Sequence, residues 1–206
     1  MGSIRQGPAP RILGLTGPIA CGKSTVGDLL LELGALERID ADQAVHQLML
    51  SGTPTTGQIR STFGPQVINP DGSVDRTALG ELVFADSQAL ARLEAIVHPA
   101  VRQVIHSRLA DVSQHTDIVV VDAVKLLQSE LLELCDAVWV VCCSADTQMR
   151  RLRETRHMTE AAAQSRIAAQ PSFDHTRVTT VIDNSGSRED LRREVEQAWS
   201  ALIGVS

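Results

Sequence analysis

Lysine is almost missing from this chain. Of 206 residues only Lys23 and Lys125 are lysine, against seventeen arginines. Tyrosine is absent and all aromatics together make up 2% of the residues, which argues against single-stranded nucleic acid held on aromatic stacking platforms. The charge balance points the same way, because a formal net charge of −6 is the opposite of the basic footprint that nucleic-acid binding requires. A small anionic substrate needs only a local cluster of basic groups and stays open. The four cysteines, Cys21, Cys135, Cys142 and Cys143, match no zinc-ligand spacing, and Cys142 and Cys143 lie in an apolar stretch as expected of reduced core thiols. No apolar run is long enough to span a membrane, and no secretory signal is visible. The expectation is a cytoplasmic protein with neither a membrane nor a nucleic-acid partner. Hydrophobic residues at 43% suffice for a substantial core, and the length suits one domain with an insertion.

The scarcity of lysine gives weight to the place where one occurs. Lys23 stands in Gly17-Pro18-Ile19-Ala20-Cys21-Gly22-Lys23-Ser24-Thr25, which has the glycine, four-residue gap and Gly-Lys-Ser of a phosphate-binding loop. The run Arg11 to Thr16 before it reads as a short buried strand. Val26 to Leu33 after it reads as a helix with Val26, Leu29, Leu30 and Leu33 on one face. Strand, glycine loop and helix in that order are the context the motif requires. Backbone N–H groups of the loop and of the helix start would surround a phosphate chain, with Gly17, Ala20, Cys21, Gly22, Lys23, Ser24 and Thr25 as the contact residues. Lys23 would reach the terminal phosphates and the Ser24 hydroxyl would hold Mg²⁺. An arginine fork is too bulky for a point charge threaded into so tight a loop.

Gly34 is expected to stop the first helix, and Ala35 to Ile39 forms a second strand that ends in Asp40-Ala41-Asp42. These two carboxylates either suit the dipole of a helix running to about Leu50 or face the crevice where open α/β sheets bind ligands. Residues 51–74 hold the turns Phe63-Gly64-Pro65 and Asn69-Pro70-Asp71-Gly72 around a short helix at about 55–62. Asp75 starts a helix to Phe84, and Asp86 or Ser87 caps another, whose apolar pattern is interrupted at His98-Pro99. Ile118 to Val121 is a strongly apolar strand ending at Asp122, which either holds Mg²⁺ through water or caps a turn. Leu126 to Leu134 is a short helix, Ala137 to Cys142 a buried strand, and 147–156 and 159–169 two helices. Val178 to Ile182 is a fifth strand and Arg188 to Leu202 a last amphipathic helix. Five strands alternating with helices predict an α/β fold with a parallel sheet covered on both faces. Residues 1–10 read as a flexible lead-in and 11–206 as a single domain, with an insertion at about 52–114 and a lid at about 147–171.

With these landmarks placed, the chain resembles the dephospho-CoA kinase family from about Ile12 to Trp199. The pieces that carry the resemblance occur in the family's order. They are Gly14-Leu15-Thr16-Gly17, the phosphate loop, Asp40-Ala41-Asp42, Phe63-Gly64, Asp71-Gly72-Ser73-Val74-Asp75-Arg76, Val83-Phe84-Ala85-Asp86, His98-Pro99, Arg166-Ile167-Ala168-Ala169-Gln170 and Val181-Ile182-Asp183-Asn184-Ser185-Gly186. The resemblance implies a P-loop kinase core with a five-stranded parallel sheet, a helical acceptor-binding insertion and a small lid. It implies ATP as co-substrate, Mg²⁺ as cofactor and phosphorylation of the ribose 3′-hydroxyl of dephospho-CoA, with the protein a monomer or weak homo-oligomer. A ribose hydroxyl is a poor nucleophile, so a carboxylate should take or orient its proton. The resemblance gives that role to Asp42, with Asp40 orienting the metal's water shell or the acceptor. Ser24, Asp40 and Asp122 form the implied metal set, His98 lies at the acceptor, and Arg151 falls at the lid arginine.

The chain also departs from the family pattern. Pro18, Ala20 and Cys21 replace small or hydroxylated loop residues, and Ala20 calls for a loop conformation with negative φ. Cys21 beside Lys23 and a helix start should form thiolate readily, or else it simply fills a small-residue slot. Lys125 and Gln128 stand where the family has a leucine and a glutamate. Lys125 either meets a phosphate of donor or acceptor or packs its stem with its head in water. Thr155 replaces a second lid arginine. These changes keep two other readings in play: a P-loop kinase with another hydroxyl acceptor, and a nucleotide-binding regulator with weakened catalysis. The lack of an Asn-Lys-x-Asp guanine motif argues against a GTPase switch.

Overall fold

The computed structural model describes residues 11–110 and 118–204. It divides into two compact units with boundaries after Ile39 and after Val112. The larger is built on a five-stranded sheet in the order β2-β3-β1-β4-β5. The strands are β1 (Arg11–Thr16), β2 (Glu37–Asp40), β3 (Ile118–Asp122), β4 (Ala137–Cys142) and β5 (Thr180–Asp183). The pairs β1–β3, β1–β4 and β4–β5 are parallel, with Leu13 facing Val120 on one side and Ala137 on the other. A parallel strand buried on both faces reads as a continuous apolar run, which is what Ile12 to Leu15 and Ile118 to Val121 are, all nine-tenths buried or more.

One face of the sheet packs on two helices, α1 (Lys23–Glu32) and α8 (Arg188–Ile203). Leu13, Leu15, Val120, Trp139, Val141 and Ile182 meet Val26, Leu29 and Leu30 of α1 and Leu191, Val195 and Trp199 of α8. The apolar spacing of three and four along both helices supplies that buried stripe. Leu33 lies at the edge of this core. Between β4 and β5 run α6 (Ala145–Arg156) and α7 (Glu160–Ala168), capped by the side chains of Ser144 and Thr159. The five-stranded parallel sheet with its helices matches the α/β expectation.

The second unit is helical, with α2 (Ala41–Leu48), α3 (Pro54–Phe63), α4 (Arg76–Ala85) and α5 (Ser87–Ala110). The starts of α2, α3 and α4 are written locally. Asp40 accepts from the Gln43 N–H, Thr53 from Thr56 with Pro54 in the first turn, and Asp75 from Thr77 and Ala78. Helices α2, α3 and α4 all pack on α5. Among the described residues no helix is long and apolar enough to cross a membrane.

Some boundaries differ from expectation. His98-Pro99 does not interrupt α5, which runs through Pro99 for 24 residues. Val97, Val101 and Ile105 keep one buried stripe at four-residue spacing across the proline, and packing along that stripe outweighs the loss of one backbone donor. Leu126 to Leu134 is two 3-10 turns, Leu126–Gln128 and Glu130–Leu134, and not one helix. Strand β2 starts at Glu37, two residues late, and β5 at Thr180.

Candidate phosphate-binding site

The loop from Gly17 to Gly22 joins the carboxyl end of the central strand to α1. At Gly17 φ is 152°, and a Cβ there would stand 2.1 Å from the Val141 carbonyl oxygen, so the close approach of loop to β4 admits only glycine. At Gly22 φ is 90°, and a Cβ would lie 2.1 Å from Nδ2 of Asn184. Ala20 has φ of 62°, the left-handed region and not the negative φ expected for it. The reason is a tight turn: the Cys21 N–H donates to the Pro18 carbonyl at 3.3 Å, which puts Ala20 third in the turn, where a type II turn demands positive φ.

Three consecutive loop carbonyls are taken by side chains from elsewhere. Gln148 Nε2 donates to the Ile19 carbonyl at 2.8 Å, Arg151 Nη1 to that of Ala20 at 3.4 Å, and Asn184 Nδ2 to that of Cys21 at 2.8 Å. Asn184 is itself fixed, since its N–H donates to the Cys142 carbonyl at 2.8 Å and its own carbonyl accepts from Arg151 Nη2 at 3.1 Å. Gln170 Oε1 accepts from the Ile19 N–H. Helix α1 starts at Gly22 with no side-chain cap and no acidic residue in its first turn. Its orphan N–H groups, and the positive end of its dipole, are left for an anion.

Lys23 Nζ forms an ion pair with Asp122 Oδ1. Asp122 ends β3 and is 3% exposed. On its other oxygen, Arg38 Nε lies 4.0 Å away. The Ser24 hydroxyl belongs to an exposed residue in the first turn of α1. One hydroxyl and one carboxylate fit a Mg²⁺ that takes most of its ligands from phosphate and water. Among the described residues no cluster of three or more His, Cys, Asp or Glu would cage an ion by itself. The Cys21 thiol is buried and burial pushes its pKa up, with the Cys143 and Cys142 thiols adding to the effect. Desolvation thus outweighs the pull toward thiolate expected from Lys23 and the helix start.

A phosphate loop between the central strand and the first helix of a parallel sheet, with a lysine and a buried strand-end aspartate in contact, narrows the chain to the P-loop kinases and their relatives. The dephospho-CoA kinase family model matches residues 11–190. The chain belongs to the dephospho-CoA kinase family. It is 47% identical over 197 residues to a dephospho-CoA kinase of Symbiobacterium thermophilum, covering 94% of this chain and 82% of that one. It is 41% identical over 192 residues to a dephospho-CoA kinase of Geobacter sulfurreducens, covering 92% and 97%. Among solved structures, TT1252 from Thermus thermophilus superposes with a TM-score of 0.79 at 28% identity, covering 95% of this chain and 99% of that one.

The other residues singled out from the family's motifs are placed as follows. Asp40 and Asp42 belong to the helical unit, where Asp40 caps α2 and Asp42 is exposed in its first turn. His98 is half-buried in the middle of α5. Lys125 is exposed at the start of the first 3-10 turn. The preceding carbonyl, of Val124, accepts from the buried Thr16 hydroxyl at 3.1 Å. Gln128 Nε2 donates to the Ser172 carbonyl at 3.3 Å, a bond a glutamate carboxylate could not make. Thr155 and Arg166 are exposed. Reasoning from sequence missed Arg38, Gln148 and a role for Asn184. Gln148 and Asn184 are polar side chains at 6% exposure, and the family motif around Asn184 was the one available signal.

Proposed function

We propose that this protein transfers the γ-phosphoryl group of ATP to the ribose 3′-hydroxyl of dephospho-CoA, giving coenzyme A. The observation that carries the reading is the phosphate loop itself: Lys23 and Ser24 at an uncapped helix start, with Asp122 beside them, in a chain of this family. Phosphoryl transfer asks for alignment and neutralisation of charge more than for covalent help. Lys23 leaves Asp122 to neutralise the terminal phosphate oxygens. Gly17, Ala20, Cys21, Gly22 and Thr25 shape the cradle, and Arg151, already bonded to the loop at Ala20, keeps it closed. Ser24, Asp122 and Asp40 would hold a Mg²⁺ that arrives with the nucleotide, and such an ion would supply further neutralisation of the phosphate charge. Asp42 accepts the proton of the attacking hydroxyl, Asp40 orients the metal's water shell or the acceptor, and His98 and Lys125 contact the acceptor. The protein works in the cytoplasm as a monomer or weak homo-oligomer, with no nucleic-acid or membrane partner, in keeping with its charge of −6.

The test is ADP release with and without dephospho-CoA, alongside a panel of nucleoside and sugar acceptors. Release should require dephospho-CoA. The Asp42→Asn variant should lose about a hundredfold or more in kcat while still binding ATP. Turnover near wild type in that variant removes Asp42 as the base, and preference for another acceptor overturns the substrate.

A further inference from the structure

Gly27 is a buried glycine inside α1, where glycine is less stabilising than alanine. The structure shows what occupies the space. A Cβ at Gly27 would lie 2.5 Å from Nη1 and 2.7 Å from Cδ of Arg38, so the arginine side chain of β2 rests directly on the helix backbone. From that seat Arg38 Nη1 donates to the Ser24 carbonyl at 3.0 Å and to Asp28 Oδ1 at 2.8 Å. Its Nε lies 4.0 Å from Asp122 Oδ2. The same carboxylate accepts from Lys23 through Oδ1. Asp122, its side chain 4% exposed, therefore stands between two cations. Their bindings differ: Lys23 is a point charge on a flexible stem, whereas the Arg38 fork is pinned by two hydrogen bonds and a helix backbone.

We infer that Arg38 is a positioning residue for nucleotide binding. It is the standing counter-charge that stays with Asp122 when Lys23 moves to the nucleotide phosphates, and its bond to Ser24 fixes the turn from which both Lys23 and the Ser24 hydroxyl project. Without it the carboxylate holds Lys23 more strongly, because a buried anion is costly to strip of a cation, and the nucleotide has to compete for the ammonium group. Gly27 is the second half of the device, since only a residue without Cβ leaves the guanidinium its seat. The inference rests on reading the loop as a kinase nucleotide site.

The experiment measures ATP binding by calorimetry without acceptor, once with Mg²⁺ and once with chelator, so that the nucleotide term is read apart from turnover. Arg38→Gln should weaken ATP about five- to tenfold in both conditions, raise KM for ATP, and leave KM for the acceptor where it was. Arg38→Lys should recover part of the loss, since charge is kept and the fork is not. Gly27→Ala should reproduce the loss by expelling the guanidinium. In an Arg38→Ala background, which removes both the Cδ and the guanidinium that crowd the position, it should add no further loss and should raise the thermal midpoint, because there the methyl group meets no long side chain. ATP affinity unchanged in Arg38→Gln, or a Gly27→Ala loss that simply adds to that of Arg38→Ala, overturns the inference. If the unaltered protein binds no ATP, the kinase reading fails instead.

Discussion

Ala20 holds a backbone conformation that alanine rarely adopts, with φ of 62°. For an L-residue with a Cβ the left-handed region costs about 1–2 kcal/mol, and part of that is recovered because alanine is less free than glycine in the unfolded chain. Ala20→Gly should therefore raise unfolding free energy by about 0.5–1 kcal/mol, read as a higher urea midpoint with an unchanged m-value. Nothing in the one-dimensional sequence reveals this strain. Ala20 sits in a motif whose spacing was plain, but its φ is set by the hydrogen bond that Cys21 returns to Pro18. Lys23 was legible for the opposite reason, because a single chemical requirement picks out lysine at that place. Arg38 was not legible at all. Its significance depends on lying across Gly27, eleven positions earlier, and on β3, about eighty positions later.

At the scale of elements, the phosphate loop is held from outside. Its carbonyls at Ile19, Ala20 and Cys21 are bonded by side chains from α6 and from the turn after β5. Asn184 joins the two, bonding Cys21 on one side and Arg151 on the other. Asn184→Ala would leave a buried carbonyl without this donor and remove the Oδ1 that Arg151 also reaches, so a loss of about 1–3 kcal/mol in stability is expected. The same variant should bind ATP more weakly, because its loop is no longer set in advance; denaturant unfolding and calorimetry measure the two effects. The strands and helices themselves were readable where period and caps agreed: β1 and β4 fall where their apolar runs lie, and α4 starts behind Asp75 as its capping chemistry dictates. The sequence misled where a strong local signal met stronger packing. Pro99 breaks isolated helices, yet α5 carries it because Val97, Val101 and Ile105 stay buried on one line. Conversely, Leu126 to Leu134 has helical spacing but divides at Ser129, an extended residue with φ of −115° and ψ of 155°.

Taken as a whole molecule, the protein holds protons on the thiols of Cys21, Cys135 and Cys142 by taking them out of water. Burial pushes Cys135 from its ordinary value near 9 up to about 12, and raises Cys21 and Cys142 as well. In the unfolded chain these thiols ionise near their ordinary values while the folded protein retains the protons. For Cys135 stability is then complete below about pH 8.5 and declines as pH rises toward the folded value, by up to about 1.4 kcal/mol per pH unit, and Cys21 and Cys142 act in the same direction. Unfolding free energy measured from pH 8 to 11 should show this fall, and Cys135→Ala should make it shallower. The sheet order carries a consequence for how the chain is made. β1 is the central strand, and the partners on its two sides are β3 and β4. Both come off the ribosome about 100 residues or more after β1. At about 5–20 residues per second, the buried strand β1 waits on the order of 5–20 s with both edges open. The helical unit between is finished first and can fold meanwhile, from contacts among its own helices. At that stage β1 has neither of its sheet neighbours, the state in which a chaperone that shields short apolar segments has the most to do.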